Sequence, residues 1–490
     1  MVCFRLRVTR LTGDKVELQV HGDSTILEIL AQLVPAATLP LSQLVLGNSV
    51  LPRKISAGEA GLRDGAEVQL LQARDIIECA NLADSGRDRE TLKAVIIPDS
   101  VARIEDFAFS GSPKLQEVQI HDCVTSIGAC AFFGCTSLAT VNLPSSLVGM
   151  GYSAFEGCTS LSVVEIPSSV TSVVIYAFRG CTSLREVKIH DCVTSIGAAA
   201  FSGCSALEEV QIPDSVSIIG HSAFSGCAAL RQVQIPDSVT RIGASSFLGC
   251  SSLADCKVPA ALASVEDHAF ESCTSLSHVH LPESVSSIAA YAFKGCTSLR
   301  EVEIPNSVKC IGACAFAGCT SLSRAQIPHS VTSIGDSAFA GCTSLTALVL
   351  PPSLVRIEAF AFSGCTSLAA VQIPDSVSSI GHSAFSGCGS LGAVQIPVSV
   401  TNIEACAFSG CSSLTEVVIP SSAANIGDYA FADCASLGEV QIPNSVTDLG
   451  EEVFRGCSFR REETPSPGVE TSTCWCWIWA GIRPGDETKK

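Results

Sequence analysis

The stretch GHSAFSGC occupies residues 220–227 and recurs at 381–388. It sets His221, Ser222, Ser225 and Cys227 close together, the residue types of a nucleophilic or metal site. Two other groupings invite the same question. Cys310, Cys314 and Cys319 are near one another, and His278 and His280 flank Val279. Zinc needs three or four ligands, and no Cys-x-x-Cys pair or further His completes a set around the three cysteines. His278 and His280 point the same way on one strand and read as a solvated pair. No G-x-S-x-G elbow, dinucleotide loop, P-loop or H-E-x-x-H is present. No catalytic, cofactor or metal site is therefore expected, and the chain reads as a non-enzyme.

The elements that carry these residues explain them better. A phenylalanine recurs every 23 residues from Phe109 to Phe454, and a cysteine keeps the same step from Cys135 to Cys457. Sixteen units of 23 residues then fill 92–459, with the pattern L-x-x-V-x-I-P-x-S-V-x-x-I-G-x-x-A-F-x-G-C. A unit this short buries nothing alone and must stack on its neighbours. Within it, L-x-x-V-x-I alternates and predicts a short strand with Val and Ile inward. Proline closes the strand, PDSV turns, and A-F-x-G-C suits a single helical turn on the opposite side. The Gly before Cys suits a positive φ. The Phe column predicts an apolar spine, and the Cys column a row of small buried hydrophobes. Neighbouring Cys residues would lie within disulfide range, but no export signal is visible in MVCFRLRVTR, so free thiols are expected. GHSAFSGC is one rung of this repeat. Its variable His returns by copying at His382, seven units on, which is not how a catalytic group behaves.

These units resemble BspA-like leucine-rich repeats, which share the LP-x-S-[LV]-x-x-I-x-x-x-A-F-x-x-C core. The resemblance implies a leucine-rich-repeat solenoid with a parallel β-ladder on its concave face, used to bind macromolecules. Well-known members are surface proteins and adhesins, so a cell-surface adhesin is the alternative to a cytoplasmic scaffold.

Residues 1–74 follow another pattern. FRLRV and VELQV alternate around a hairpin signal at Gly13, and DSTILEILAQL carries Ile26, Ile29, Leu30 and Leu33 at helical spacing. With the strands QLVLGN and AEVQLL, the order is similar to a ubiquitin-like (β-grasp) domain. The resemblance puts Leu11, Val45 and Leu71 where the ubiquitin apolar patch lies, and implies a partner from ubiquitin or proteasome machinery. The chain has no Gly-Gly end there, so a fixed adaptor rather than a conjugated tag is implied. Residues 75–91 read as a linker or N-terminal cap, and 460–490, with Trp475, Trp477 and Trp479, as a disordered tail.

The net charge is -18, with 30 Lys+Arg against 48 Asp+Glu. This argues against nucleic acid and anionic membrane, which call for Lys/Arg clusters. No run approaches the ~18 apolar residues of a membrane span. The informative surface is the outward face of the strands. Gln211 and Gln234, and Gln372 and Gln395, should stand side by side and could form amide ladders. Glu186 and Glu209, and Glu416 and Glu439, should be adjacent like charges, suited to a basic partner. The expectation is a monomeric cytoplasmic scaffold without cofactors. The solenoid would bind one protein partner and the ubiquitin-like domain would recruit another.

Overall fold

Alternation within L-x-x-V-x-I becomes a strand in fifteen successive units among the described residues, from Ala94–Ile96 to Glu416–Val418. The computed structural model describes residues 3–10, 15–21, 24, 29, 43–46, 49–50, 62, 66–71, 76–78, 89–97 and 99–458. Within each sheet the paired strands are parallel and in register at a step of 23 residues, for example Val210 opposite Val233. Their Val and Ile side chains are buried while the flanking residues are exposed, as in Glu209–Gln211. The fold is a parallel-strand solenoid, as the periodicity requires, and of the leucine-rich-repeat type that the resemblance implies.

The chain divides into two compact units, Met1–Val170 with Tyr176–Leu184, and Thr171–Ile175 with Arg185–Lys490. The first holds a mixed five-stranded sheet of β1 (Cys3–Arg10), β2 (Lys15–His21), β3 (Gln43–Leu46), β4 (Ser49–Val50) and β5 (Ala66–Leu71). Its order is β2-β1-β5-β3-β4, with β1 and β5 parallel and the other neighbours antiparallel. Val8, Val20, Ile29 and Leu62 are buried there. The same unit begins the solenoid. Ile76–Glu78 pairs in parallel with Ala94–Ile96, ahead of the first repeat strand. That added strand covers backbone N–H and C=O groups that the first coil would otherwise leave open. The second unit holds the repeat strands from Glu186–Ile189 onward.

A second ladder was not foreseen. The segment after the PDSV turn forms two-residue parallel strands such as Ser195–Ile196 and Ile218–Ile219, with the second residue of each buried. Periodicity over two residues is too short to announce a strand, so only stacking discloses it.

The expected helical turn at A-F-x-G-C is corrected. This side of the coil is a run of hydrogen-bonded turns, with Cys135 N donating to Phe132 O and Leu138 N to Cys135 O. A helix would keep its amides inside the segment. Here some of them reach the next coil instead, as Phe224 N does to Ser246 O at 2.8 Å. Left-handed residues at two places per coil break any helix. One is the Gly column, at φ +69 to +75° in fourteen units, with Ser272 and Asp433 at 61° and 57° in the other two. The other is the residue before Ala-Phe, for example Ser222 at φ 54°. A left-handed non-glycine costs roughly 1–2 kcal/mol. Ser272→Gly is therefore expected to raise stability by about 1 kcal/mol and Gly226→Ala to lower it by a similar amount. A Cβ at Gly226 would meet only Gly203 atoms at 3.6 Å, so the loss would be conformational, and urea titration reads both.

The core consists of columns. Consecutive Phe rings stack with centroids 5.1–5.6 Å apart and planes within 14°, from Phe109 to Phe178 in the first unit and from Phe201 to Phe454 in the second. Ala223, between Gly220 and Phe224, is wholly buried, which explains its small side chain.

Candidate binding face and the thiol column

The Cys column has a second reason to be cysteine. Each thiol donates to the carbonyl of the Phe one coil back, as Cys227 Sγ does to Phe201 O and Cys296 Sγ to Phe270 O, both at 3.2 Å. Each such carbonyl also accepts a backbone N–H, Phe201 O from Cys204 N and Phe270 O from Cys273 N, so the thiol is a second donor that ties one coil to the next. Ser112 stands at this position in the first unit, buried, and its hydroxyl has no hydrogen-bond partner among the described residues. Burial pushes the thiols of Cys135, Cys181, Cys250, Cys256, Cys296 and Cys365 up to about 12. That of Cys227 is also driven well up, by burial and then by the neighbouring thiols Cys250 and Cys204. The column sulfurs are hydrogen-bond donors and packing atoms, that of Cys256 is a packing atom inside the strand Asp255–Lys257, and none is a nucleophile. Maleimide at neutral pH is expected to modify exposed Cys123, Cys192 and Cys310 in the reduced native protein. Cys158, Cys227 and Cys319 should stay unmodified until guanidinium is added. Peptide mass spectrometry distinguishes the two sets, and modification of Cys227 in the native state would contradict the packing.

The residues of GHSAFSGC separate as the repeat predicts. Phe224 and Cys227 are buried rungs, and Ser222 takes the left-handed position. Among the described residues no group of three His, Cys, Asp or Glu side chains is arranged to hold a metal. On the turn side, His268 Nδ1 lies 2.5 Å from Glu271 Oε2, and Lys294 Nζ lies 3.3 Å from Glu271 Oε1. Tyr291 stacks on His268 at 4.6 Å and lies under Lys294 at 5.0 Å. This cluster ties consecutive coils together across their edges.

The first ladder presents the predicted face. Glu186 stands opposite Glu209, Gln211 opposite Gln234 and Gln372 opposite Gln395, all exposed. Glu416 lies on a strand, while exposed Glu439 lies in Leu437–Val440, which forms no strand although Leu437 and Val440 are buried. No side-chain hydrogen bond among the described residues joins Gln211 to Gln234 or Gln372 to Gln395. The amide contact that forms is instead on the second ladder, Asn425 Nδ2 to Asn402 Oδ1 at 3.1 Å. Val45 stands opposite Val50 and Gln69, and Leu71 opposite Gln43; Leu11 lies outside the described residues.

Sequence spacing alone did not bring in the corners of the coil. Asp191 and Asp214, each just past a strand, join Glu209, Gln211, Gln232 and Gln234 around a depression of about 430 Å³. Ile189, Val210, Ile212 and Pro213 form the rest of its wall. Glu186, paired with Glu209, adds a fourth carboxylate beside the depression, and Lys188 lies on the same strand as Glu186. The usable signal was the Asp of HDC and PDS, which falls at one phase of the repeat.

The architecture defines a leucine-rich-repeat protein, with a buried hydrophobic register and a variable strand face. The sequence profile of the BspA type leucine rich repeat region (6 copies) matches residues 87–205, 174–299, 263–388 and 332–461. The chain belongs to this BspA-type leucine-rich-repeat family. Among solved structures it is similar to a leucine-rich repeat protein from Bacteroides ovatus, at 29% identity and TM-score 0.57, covering 74% of this chain and 85% of that one. It is also similar to a leucine rich cell surface protein from Faecalibacterium prausnitzii, at 32% identity and TM-score 0.44, covering 64% and 85% of the two chains. No curated protein matches the chain.

Proposed function

We propose that this protein is a non-enzymatic interaction scaffold whose first-ladder face binds a basic segment of a protein partner. The depression at Glu209 carries the reading. It joins carboxylates from successive coils to amide donors and acceptors, and its volume suits one or two long cationic side chains. Adjacent like charges such as Glu186 and Glu209 are unfavourable in the free protein, and a cation relieves them. Glu416 and Glu439 offer a second acidic pair further along. The strand order β2-β1-β5-β3-β4 supports a ubiquitin-like module before the solenoid. That module would recruit a second partner, from ubiquitin or proteasome machinery, through Leu11, Val45 and Leu71. The scaffold works as a monomer in the cytoplasm, without a cofactor.

A fluorescent arginine-rich peptide tests the face directly. Glu186→Lys with Glu209→Lys is expected to weaken its binding by tenfold or more, and raised salt should do the same. Equal affinity for wild type and double variant would refute the acidic face. Detection of the folded chain on intact cells by surface proteolysis would favour the adhesin-type alternative.

A further inference from the structure

The strand register assembles a grouping that neither strand carries alone. His278–His280 pairs in parallel with Glu301–Glu303, setting His278 beside Glu301 and His280 beside Glu303. Between them, Val279 and Val302 are buried, so all four flanking residues project from the same exposed face. Parallel strands are ~4.8 Å apart and residues i and i+2 about 6.6 Å apart, so the four Cβ atoms mark a small rectangle. Two imidazoles and two carboxylates over such a rectangle reach one central ion at the usual 2.0–2.2 Å. We infer that His278, His280, Glu301 and Glu303 form a surface site for a borderline divalent cation such as zinc or nickel.

Both ligand types suit these ions, imidazole most of all. The Ser277 hydroxyl lies 2.9 Å from His278 Nδ1, which engages that nitrogen and leaves Nε2 for the metal. The backbone is already set by the ladder. As placed, the side chains are not in a ligating arrangement. Rotation about the χ angles of four exposed residues closes it, with no movement of the core. The surrounding charges are mixed. Asp255 flanks His278 on the other side and adds a carboxylate. Lys257 flanks His280, but its ammonium is held 3.1 Å from Asp237 Oδ2. Arg324 flanks Glu301 and competes for it, while Gln326 beside Glu303 carries no charge. Glu303 is therefore the stronger carboxylate ligand of the two.

Calorimetric titration of the full chain with Ni²⁺, after exposed thiols are blocked with N-ethylmaleimide, tests the site. One saturable site is expected. His280→Asn and Glu303→Gln should each weaken it by about tenfold or more. All four residues are exposed, so the variants should keep the wild-type circular dichroism, which is measured alongside. The site is overturned if wild type shows no saturable binding. It is equally overturned if His278→Asn/His280→Asn binds as wild type does, which would place the ion on thiols or another segment. Unchanged binding in Glu301→Gln/Glu303→Gln would also overturn the four-ligand site in favour of the histidines alone.

Discussion

Raising the pH is expected to unfold the repeat region cooperatively between about pH 9 and pH 12, far more steeply than in a protein without buried thiols. Six thiols, Cys135, Cys181, Cys250, Cys256, Cys296 and Cys365, have folded-state values near 12 against an ordinary value of 9.0. Below pH 9 both folded and unfolded chains keep these protons, and the full stability is present. Above pH 9 the unfolded chain releases them while the folded chain holds them, so stability falls until the pH passes the folded value near 12. Each thiol contributes a slope of about 1.4 kcal/mol per pH unit. Six together remove roughly 8 kcal/mol by pH 10, comparable with the whole ~5–15 kcal/mol stability of an ordinary domain. Far-ultraviolet circular dichroism against pH, with thiolate absorbance recorded in parallel, should show both changing together. Replacing Cys250, Cys273 and Cys296 by Ala should lower stability at neutral pH yet flatten the alkaline slope by about 4 kcal/mol per pH unit. Ellipticity that stays level to pH 11.5 in the wild type would contradict the protonated column.

The second large effect is expected at Phe293→Ala. The ring is fully buried, stacked between Phe270 and Phe316 at 5.4 Å on each side. Truncating a buried Phe costs about 3–5 kcal/mol through lost transfer energy and the cavity left behind. Here the loss falls on two inter-coil interfaces, because each unit is stabilised chiefly by its neighbours. The Phe293 carbonyl also accepts from Cys319 Sγ at 3.2 Å and from Cys296 N. The variant should therefore show an earlier thermal transition and, in the same preparation, maleimide labelling of Cys296 and Cys319 while Cys158 stays protected. Phe133→Ala is the control. That ring is 42% exposed and outside the stack, so its loss should be within about 0.5 kcal/mol. If Phe293→Ala behaves like Phe133→Ala, the stacked spine is not what holds the coils.

Much of the solenoid was legible because one period governs every coil. A 23-residue step without insertion forces stacking, and alternation around Val and Ile forces those side chains inward. Phe and Cys columns follow from the same spacing. The turn side was not legible in the same way. A-F-x-G-C has the composition of a helical turn, and only contact with the adjacent coil shows its amides reaching Ala and Ser carbonyls one repeat away. The second ladder was hidden because two residues carry no period.

The candidate face divides along the same line. The spacing alone determined that Glu186 and Glu209, or Gln211 and Gln234, would be neighbours, because residues one period apart must be neighbours in any stacked repeat. The tertiary structure alone decided that Asp191 and Asp214 close a depression around them, since corner geometry depends on how the chain leaves each strand. The same spacing rule sets His278 and His280 beside Glu301 and Glu303, one period on, and the structure adds that all four project from the exposed side of the ladder. And it gave the cysteines a second role: a column spaced for packing is visible in the letters, but the carbonyl to which each thiol donates lies one coil back, where only the folded chain brings it.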